Sequence, residues 1–491
     1  MFADFLVRSR HSLRNASRHR GWPPGWPGRR ADSGSDLLWF CAVVVLSLGV
    51  GWLVTTGLIG AALAVLALAV ITGLVPAVVP AILLVGVGFL HALTYLSVGF
   101  ATRADVLGSP QRFLPILGAL FVPPVIAVVV RKQRLLPQGM LSWTDPRGRL
   151  LLGMSALLAL LFIRVINSPS PVYGLTKCLG FAAYSVFPVA LIMVTIRSRE
   201  DVQRVVGALF VLGFIWVALV LSGALARGSL NLYQGNPGII FGGANQAAGG
   251  IGSRAAIVAI VGLGMVICGR KGRGRYLLGA GLAVGILVLS GHRGSLIAFV
   301  LGMLALWFLG RSFRRLPGQW ARQALAILVL VVASAWAWQS APAFIRTRYD
   351  NPFEALSFQS RLRVQRLALE GWLEAPLFGK GTGSSAFLIA RADEPKFGVV
   401  QGIYPHNLTV ELLAEVGLLG TLVYLGTLLG VAGASYRVLR ARGDSEWVLP
   451  ILAALTVQAF VFSQGGGDLT TNNQLWITAA LLAVATSDIG R

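Results

Sequence analysis

Apolar runs recur from Leu37 to the end of the chain, separated by short polar stretches. Most are about 17 to 25 residues long, the length of helix needed to cross a hydrocarbon core. They fall at 37–56, 58–74, 80–98, 114–130, 149–166, 176–196, 205–226, 245–268, 276–290, 295–310, 321–339, 407–436, 447–463 and 475–488. Two pairs, 58–74 with 80–98 and 276–290 with 295–310, are so closely spaced that each could be a helical hairpin or a re-entrant element. The pattern therefore predicts 12–14 spans. The expected fold is all-α, a polytopic transmembrane helical bundle. It divides into a polar tail at 1–36, an N-terminal bundle at 37–339, a long connection at 340–406 and C-terminal helices at 407–491.

Composition agrees with this class. Of the 491 residues 55% are hydrophobic and 12% charged, and the mean hydropathy is +0.73. A soluble chain of this size would need more charge to cover its surface. The net charge of +23 is spread in short clusters between apolar runs, as in "RKQR" at 131–134 and "RVLRAR" at 437–442. That distribution is the positive-inside signal and not a nucleic-acid-binding face. With the Arg-rich tail on the cytoplasmic side, strict alternation places every such cluster inside. The connections at 167–175 and 464–474, which have no Lys or Arg, then fall outside. The tail carries no apolar stretch resembling a secretory signal near its start. Cys41, Cys178 and Cys268 have no paired spacing and read as packing residues.

By the same parity residues 340–406 lie outside, yet they carry Arg346, Arg348, Arg361, Arg363, Arg366, Lys380, Arg391 and Lys396. Long loops are uncommon unless functional, and a basic loop on the disfavoured side points to an anionic ligand. Phe358, Leu362, Leu369 and Leu373 follow helical spacing with arginines interleaved, which predicts an amphipathic helix at the membrane that ends before Pro376.

Four stretches could carry chemistry. In "LSGHRGSL", His292 and Arg293 sit between two apolar runs. The arginine either caps or snorkels, or uses the flanking glycines to approach a phosphate as a fork. In "SRLRVQR" the arginines read first as a solvated helix face. "FGKGTGSS" lacks any nucleotide-loop spacing and reads as a hinge or a turn that closes over a substrate. In "YPHNLTVELLAEVGLLG", His406 is either a helix-start residue or a base for a hydroxyl proton. Asn407 is placed to cap the following helix. Glu411 and Glu415 share one helical face, and buried acids need partners, so they read as ion pairs with arginine ahead of any direct chemical role. No His/Cys/Asp/Glu spacing suggests a metal site, and no nucleophile-elbow motif is present.

In order, "LSGHRGSL", "QSRLRVQRLALEGWLEAPLFGKGTGSSAF", "PHNLTVELLAEVGLLG" and "GGGDLTTNNQLW" resemble the O-antigen ligase and polymerase family of membrane glycosyltransferases, over about residues 245–476. The resemblance implies a type-C glycosyltransferase-like bundle in the cytoplasmic membrane of a bacterium. It implies a glycan donor on a polyprenyl-diphosphate carrier, such as undecaprenyl diphosphate, and a glycan or lipid acceptor, as in lipopolysaccharide. No cofactor, metal or nucleic acid is expected. Carried over by position, Arg293 and Arg361 would grip the donor diphosphate and His406 would activate or orient the acceptor hydroxyl. Tyr404 and Asn407 would shape the site. The chain departs from the family pattern at Gln365, where a tryptophan is frequent, and at His292, where a small residue is usual. The alternatives are a flippase-like transporter of the same pathway and a protein O-oligosaccharyltransferase.

Overall fold

The computed structural model describes residues 78–86, 142–226, 244–268, 272–310, 319–341, 343–350, 356–392, 404–442 and 447–487. The basic tail, the runs at 37–56, 58–74 and 114–130, and most of 80–98 lie outside them. The described residues are helical and contain no strand.

The helices are α1 (Pro146–Arg164), α2 (Pro171–Phe181), α3 (Phe187–Thr195), α4 (Arg199–Ala226), α5 (Ala244–Ile267), α6 (Arg273–Leu289), α7 (Arg293–Leu309), α8 (Gln319–Ser340), α9 (Ala343–Asp350), α10 (Leu356–Leu373), α11 (Ser384–Ala392), α12 (Leu408–Arg442), α13 (Val448–Ser463) and α14 (Asn473–Thr486). A π-helical turn at Ala182–Val186 joins α2 to α3. Starts follow local chemistry. Asp145 caps α1 by accepting from the Arg147 N–H at 2.8 Å, with Pro146 at the first position, where its missing N–H costs nothing.

Among the described residues six helices are long and apolar enough to cross a membrane: Pro146–Asn167, Pro171–Thr195, Arg199–Ala218, Gly250–Ile267, Gln323–Ser340 and Leu408–Ala441. Three shorter apolar helices, α7, α13 and α14, pack among them. This is a multi-pass helical membrane protein. Ile327, Leu328, Val331, Val332 and Trp336 of α8 point outward, as helices do when lipid is their solvent.

The bundle is organised around α5, whose residues from Ala255 to Val261 are completely buried. It packs against α4, α6, α7 and α13. Small residues set the close approaches, as is usual where helices associate without a hydrophobic driving force. A Cβ on Gly252 would fall 2.9 Å from the hydroxyls of Ser290 and Ser295, and one on Gly302 would fall 2.8 Å from Ile260. The tight pair α6 and α7 straddles α5, since each packs on that central helix more extensively than on the other.

Two expectations change. The described residues of the connection after α8 form three helices, α9, α10 and α11, where one was expected, and α10 is that one. Within α10, Leu362 and Leu373 are exposed while Ala368 and Gly371 are buried against the protein. Leu362 and Leu373 thus face away from the bundle, Phe358 and Leu369 are half-buried at its edge, and the small residues seat the helix. The last long span is also broken: α12 has non-helical geometry at Gly417 (φ 67°, ψ −164°).

Candidate functional site

The break at Gly417 removes hydrogen-bond partners from the helix ladder, and buried backbone groups left this way must find others. The glycine-rich stretch after α10 supplies them. The N–H groups of Lys380 and Gly381 donate to the carbonyls of Ala414 and Glu415 at 2.8 and 3.0 Å. The N–H groups of Leu418 and Leu419 donate back to Pro376 and Leu377 at 2.9 and 3.2 Å. The same stretch closes the end of α1: Thr382 donates through its N–H to the Arg164 carbonyl at 3.2 Å and through its hydroxyl to the Leu161 carbonyl at 2.6 Å. Gly379 has φ 69°, and a Cβ there would lie 2.5 Å from the Glu415 backbone, so only glycine fits. "FGKGTGSS" is therefore neither a phosphate cradle nor an open flap. It is a plug docked into a helix break, with the N–H groups of residues 379–382 committed to protein carbonyls.

Beneath the plug, Glu411 and Glu415 are buried. The expected arginine partner is not there. Lys177 of α2, itself buried, pairs with both carboxylates, at 2.6 Å to Glu415 Oε1. Ser385 donates a second hydrogen bond to the same Glu415 oxygen at 2.6 Å. One lysine fits between two acids spaced one helical turn apart because both point from the same face of α12. Charges this deep persist only when paired, so the cluster ties α2, α11 and α12 together.

Above it the chain enters α12 through His406, whose φ of 57° is the only positive value at a non-glycine among the described residues. A side chain in that region costs roughly 1 to 2 kcal/mol, and such residues cluster where function fixes them. Asn407 follows as the cap, its Oδ1 accepting from the Val410 N–H at 3.1 Å. The Tyr404 ring lies 4.3 Å from the imidazole, centre to centre. His406 is partly buried, and its pKa is pushed down to about 4, first by burial and then by the positive charge of Arg361. At neutral pH the imidazole is uncharged and able to accept a proton.

Arg361, on the protein-facing side of α10, donates from Nη1 to the Gly465 carbonyl at 3.0 Å. Gly465 belongs to the "QGGGD" turn between α13 and α14, on which several elements converge. Thr409 of α12 donates to Gln464 Oε1 at 2.8 Å. Gly294, the residue after Arg293, comes within 4.0 Å of where a Cβ on Gly465 would sit. His292 caps α7, its Nδ1 accepting from the Ser295 N–H at 3.1 Å, and its ring lies 5.9 Å from Phe462. Arg293, Arg361, Tyr404 and His406 thus gather at one end of the bundle around a single turn. Glu411 and Glu415 lie deeper, and Arg363 and Arg366 are exposed on the far side of α10. Among the described residues no three His, Cys, Asp or Glu side chains cluster as metal ligands.

Sequence reasoning missed Lys177, Arg164 and Ser385. Lys177 had a readable signal, a lysine inside an apolar run facing two acids inside another. Arg164, which donates to the Gly379 carbonyl at 2.8 Å, had none.

A helical membrane protein with a neutral histidine and an arginine at the mouth of one broken span is the class that the fold and the site define. The chain is similar to the O-antigen ligase family over residues 278–425, where the family model matches. That region holds Arg293, Arg361, the glycine plug, His406 and both buried glutamates. Lys177 and the "QGGGD" turn lie outside it, as do the stretches 245–277 and 426–476 that the motifs had added to the resemblance. No curated protein matches the chain.

Proposed function

We propose that the chain is a membrane glycosyltransferase of the ligase or polymerase type, acting at the outer face of a bacterial cytoplasmic membrane with its N-terminus inside. It moves a glycan from a polyprenyl-diphosphate carrier to an acceptor hydroxyl. The observation that carries this reading is that Arg361 and the start of α12, which His406 opens, meet the same Gln464–Gly465 turn at one end of the bundle, with Arg361 and His406 inside the region similar to O-antigen ligases. The acceptor oxygen attacks the anomeric carbon while the bond from that carbon to the phosphate oxygen breaks, and its electron pair leaves with the diphosphate. Arg361 and Arg293 stabilise the charge growing on that leaving group; fixed, always-protonated forks suit the task. His406 takes the acceptor proton. An anion on Arg361 offsets the charge that depresses the imidazole, so His406 becomes a stronger base when the donor is bound.

The test is deletion of the gene followed by electrophoresis of the surface polysaccharide, with complementation by wild type, Arg361→Ala or His406→Ala. Loss of transfer in both variants at normal membrane levels is expected. Accumulated lipid-linked polymer in the deletion strain identifies a ligase, and single-repeat products identify a polymerase. Unchanged polysaccharide would sink the proposal.

A further inference from the structure

One buried cation has no role in the site described above. Arg254 lies on α5, and its guanidinium reaches back over Gly250, so that a Cβ on Gly250 would lie 3.6 Å from Nη1. Among the described residues its Nε, sealed from solvent, has no hydrogen-bond partner, and no carboxylate offsets its charge. The two fully buried cations are compensated by carboxylates, Lys177 by two glutamates and Arg147 by Asp145 at 2.6 Å, and Arg164, whose Nε is likewise unpartnered, donates from both Nη atoms to Asn167 and Gly379. The residue as a whole keeps a partial opening. A snorkelling arginine carries its whole head to water. Arg254 does not, because its Nε stays shielded within the bundle.

Its neighbours place it at the same end as His406. Gly252 packs on Ser290 and Ser295, which flank His292 and Arg293. The Ser253 hydroxyl donates to Gln474 Oε1 at 2.7 Å, at the start of α14 and just beyond the "QGGGD" turn. Arg254 is two residues on from Gly252, about 200° around the helix. It shares a face with Val258, which meets α4 at Gly213. The cation is therefore level with the candidate site but turned away from Arg293, toward α4.

We propose that Arg254 is the anchor of a second anionic subsite, which takes a phosphate oxygen of a lipid-borne group. Shielding one edge of a guanidinium without a partner is costly in the free protein, and a bound phosphate returns the missing partner. The source of the phosphate is the polyprenyl carrier or a membrane phospholipid. Only the carrier alternative rests on the donor reading above.

The test uses the full-length protein in dodecyl maltoside micelles, which carry no phosphate, with thermal unfolding as the readout. One arm adds a polyprenyl diphosphate, and another adds phosphatidylglycerol to the micelles. Arg254→Met is expected to unfold at a higher temperature than wild type without added anion, because a buried unpaired charge is removed. It should respond to one of the two anions about tenfold more weakly, the loss of a charged hydrogen bond. Arg254→Lys, which keeps the charge without the fork, should fall between. Dependence on polyprenyl diphosphate identifies the carrier, and dependence on phosphatidylglycerol identifies a phospholipid. Wild-type responses to both anions in Arg254→Met, or unfolding below wild type before any anion is added, would overturn the subsite. Arg361→Met in the same assay reports on the donor reading separately: undiminished carrier binding there counts against that reading and leaves an Arg254-dependent response intact.

Discussion

His406 and Arg361 stand at the same turn, and burial first, then the positive charge of Arg361, pushes the imidazole pKa down to about 4. The arginine donates to the Gly465 carbonyl, and the histidine sits on left-handed backbone beside the Tyr404 ring. Their coupling is electrostatic and can be titrated.

Replacing Arg361 with Gln should raise the pKa of His406 toward, but not up to, the usual value of about 6.5, because burial remains. Histidine NMR of the labelled protein across pH 3–8 would read this, and an unmoved resonance would deny the coupling. In transfer assays a base is active above its pKa, so activity should fall as pH drops. The fall should centre higher with donor bound than in the free enzyme. Stability follows the same sign. A histidine depressed in the folded state favours folding above its unfolded pKa, and that contribution is lost as pH falls from about 6.5 toward 4.

His406→Asn and His406→Ala should separate backbone from chemistry. Asparagine tolerates the left-handed region and alanine does not, so the alanine variant should be about 1 kcal/mol less stable by thermal unfolding. Both should lose transfer. An active asparagine variant would make the residue an orienter of the acceptor and not a base.

Lys177→Met leaves Glu411 and Glu415 buried without their cation, and breaking such a cluster costs about 3 to 5 kcal/mol. Thermal unfolding in detergent should drop sharply. The triple variant Lys177→Met, Glu411→Gln, Glu415→Gln should recover most of the loss. If the triple variant stays as unstable as the single, the cluster is not what holds α2 to α12.

Gly379→Ala and Gly465→Ala test two glycines near the same site. The first forces a Cβ to 2.5 Å from the Glu415 backbone at positive φ and should abolish folded protein in membranes. The second adds a methyl with nothing nearer than 3.9 Å. It should be nearly neutral by size-exclusion profile. Equal behaviour of the two would contradict the docked plug.

Much of the fold was legible because lipid leaves few options: a backbone in hydrocarbon must satisfy its own hydrogen bonds, so apolar length reads directly as helix. The runs at 149–166, 205–226, 245–268 and 447–463 meet helices at nearly those bounds. The face shared by Glu411 and Glu415 was equally readable, since helical period alone decides it. The break inside 407–436 was not. A glycine in an apolar run is ordinary, and only the docking of residues 376–381 makes Gly417 a place where the ladder stops.

By itself the sequence determined a helical membrane protein, the order of its spans and the short motifs holding Arg293, Arg361 and His406. Periodicity, chain length and charge are local quantities, and these features rest on nothing else. Tertiary structure decided which residues meet. It gave the glutamates a lysine 238 positions away from Glu415 in place of an arginine. It turned the glycine-rich stretch from a flap into a plug, and it set Arg361 beside His406. Those pairings follow from how helices distant in sequence pack, where the cost of an unpaired buried charge or carbonyl selects among arrangements that the local sequence leaves equivalent.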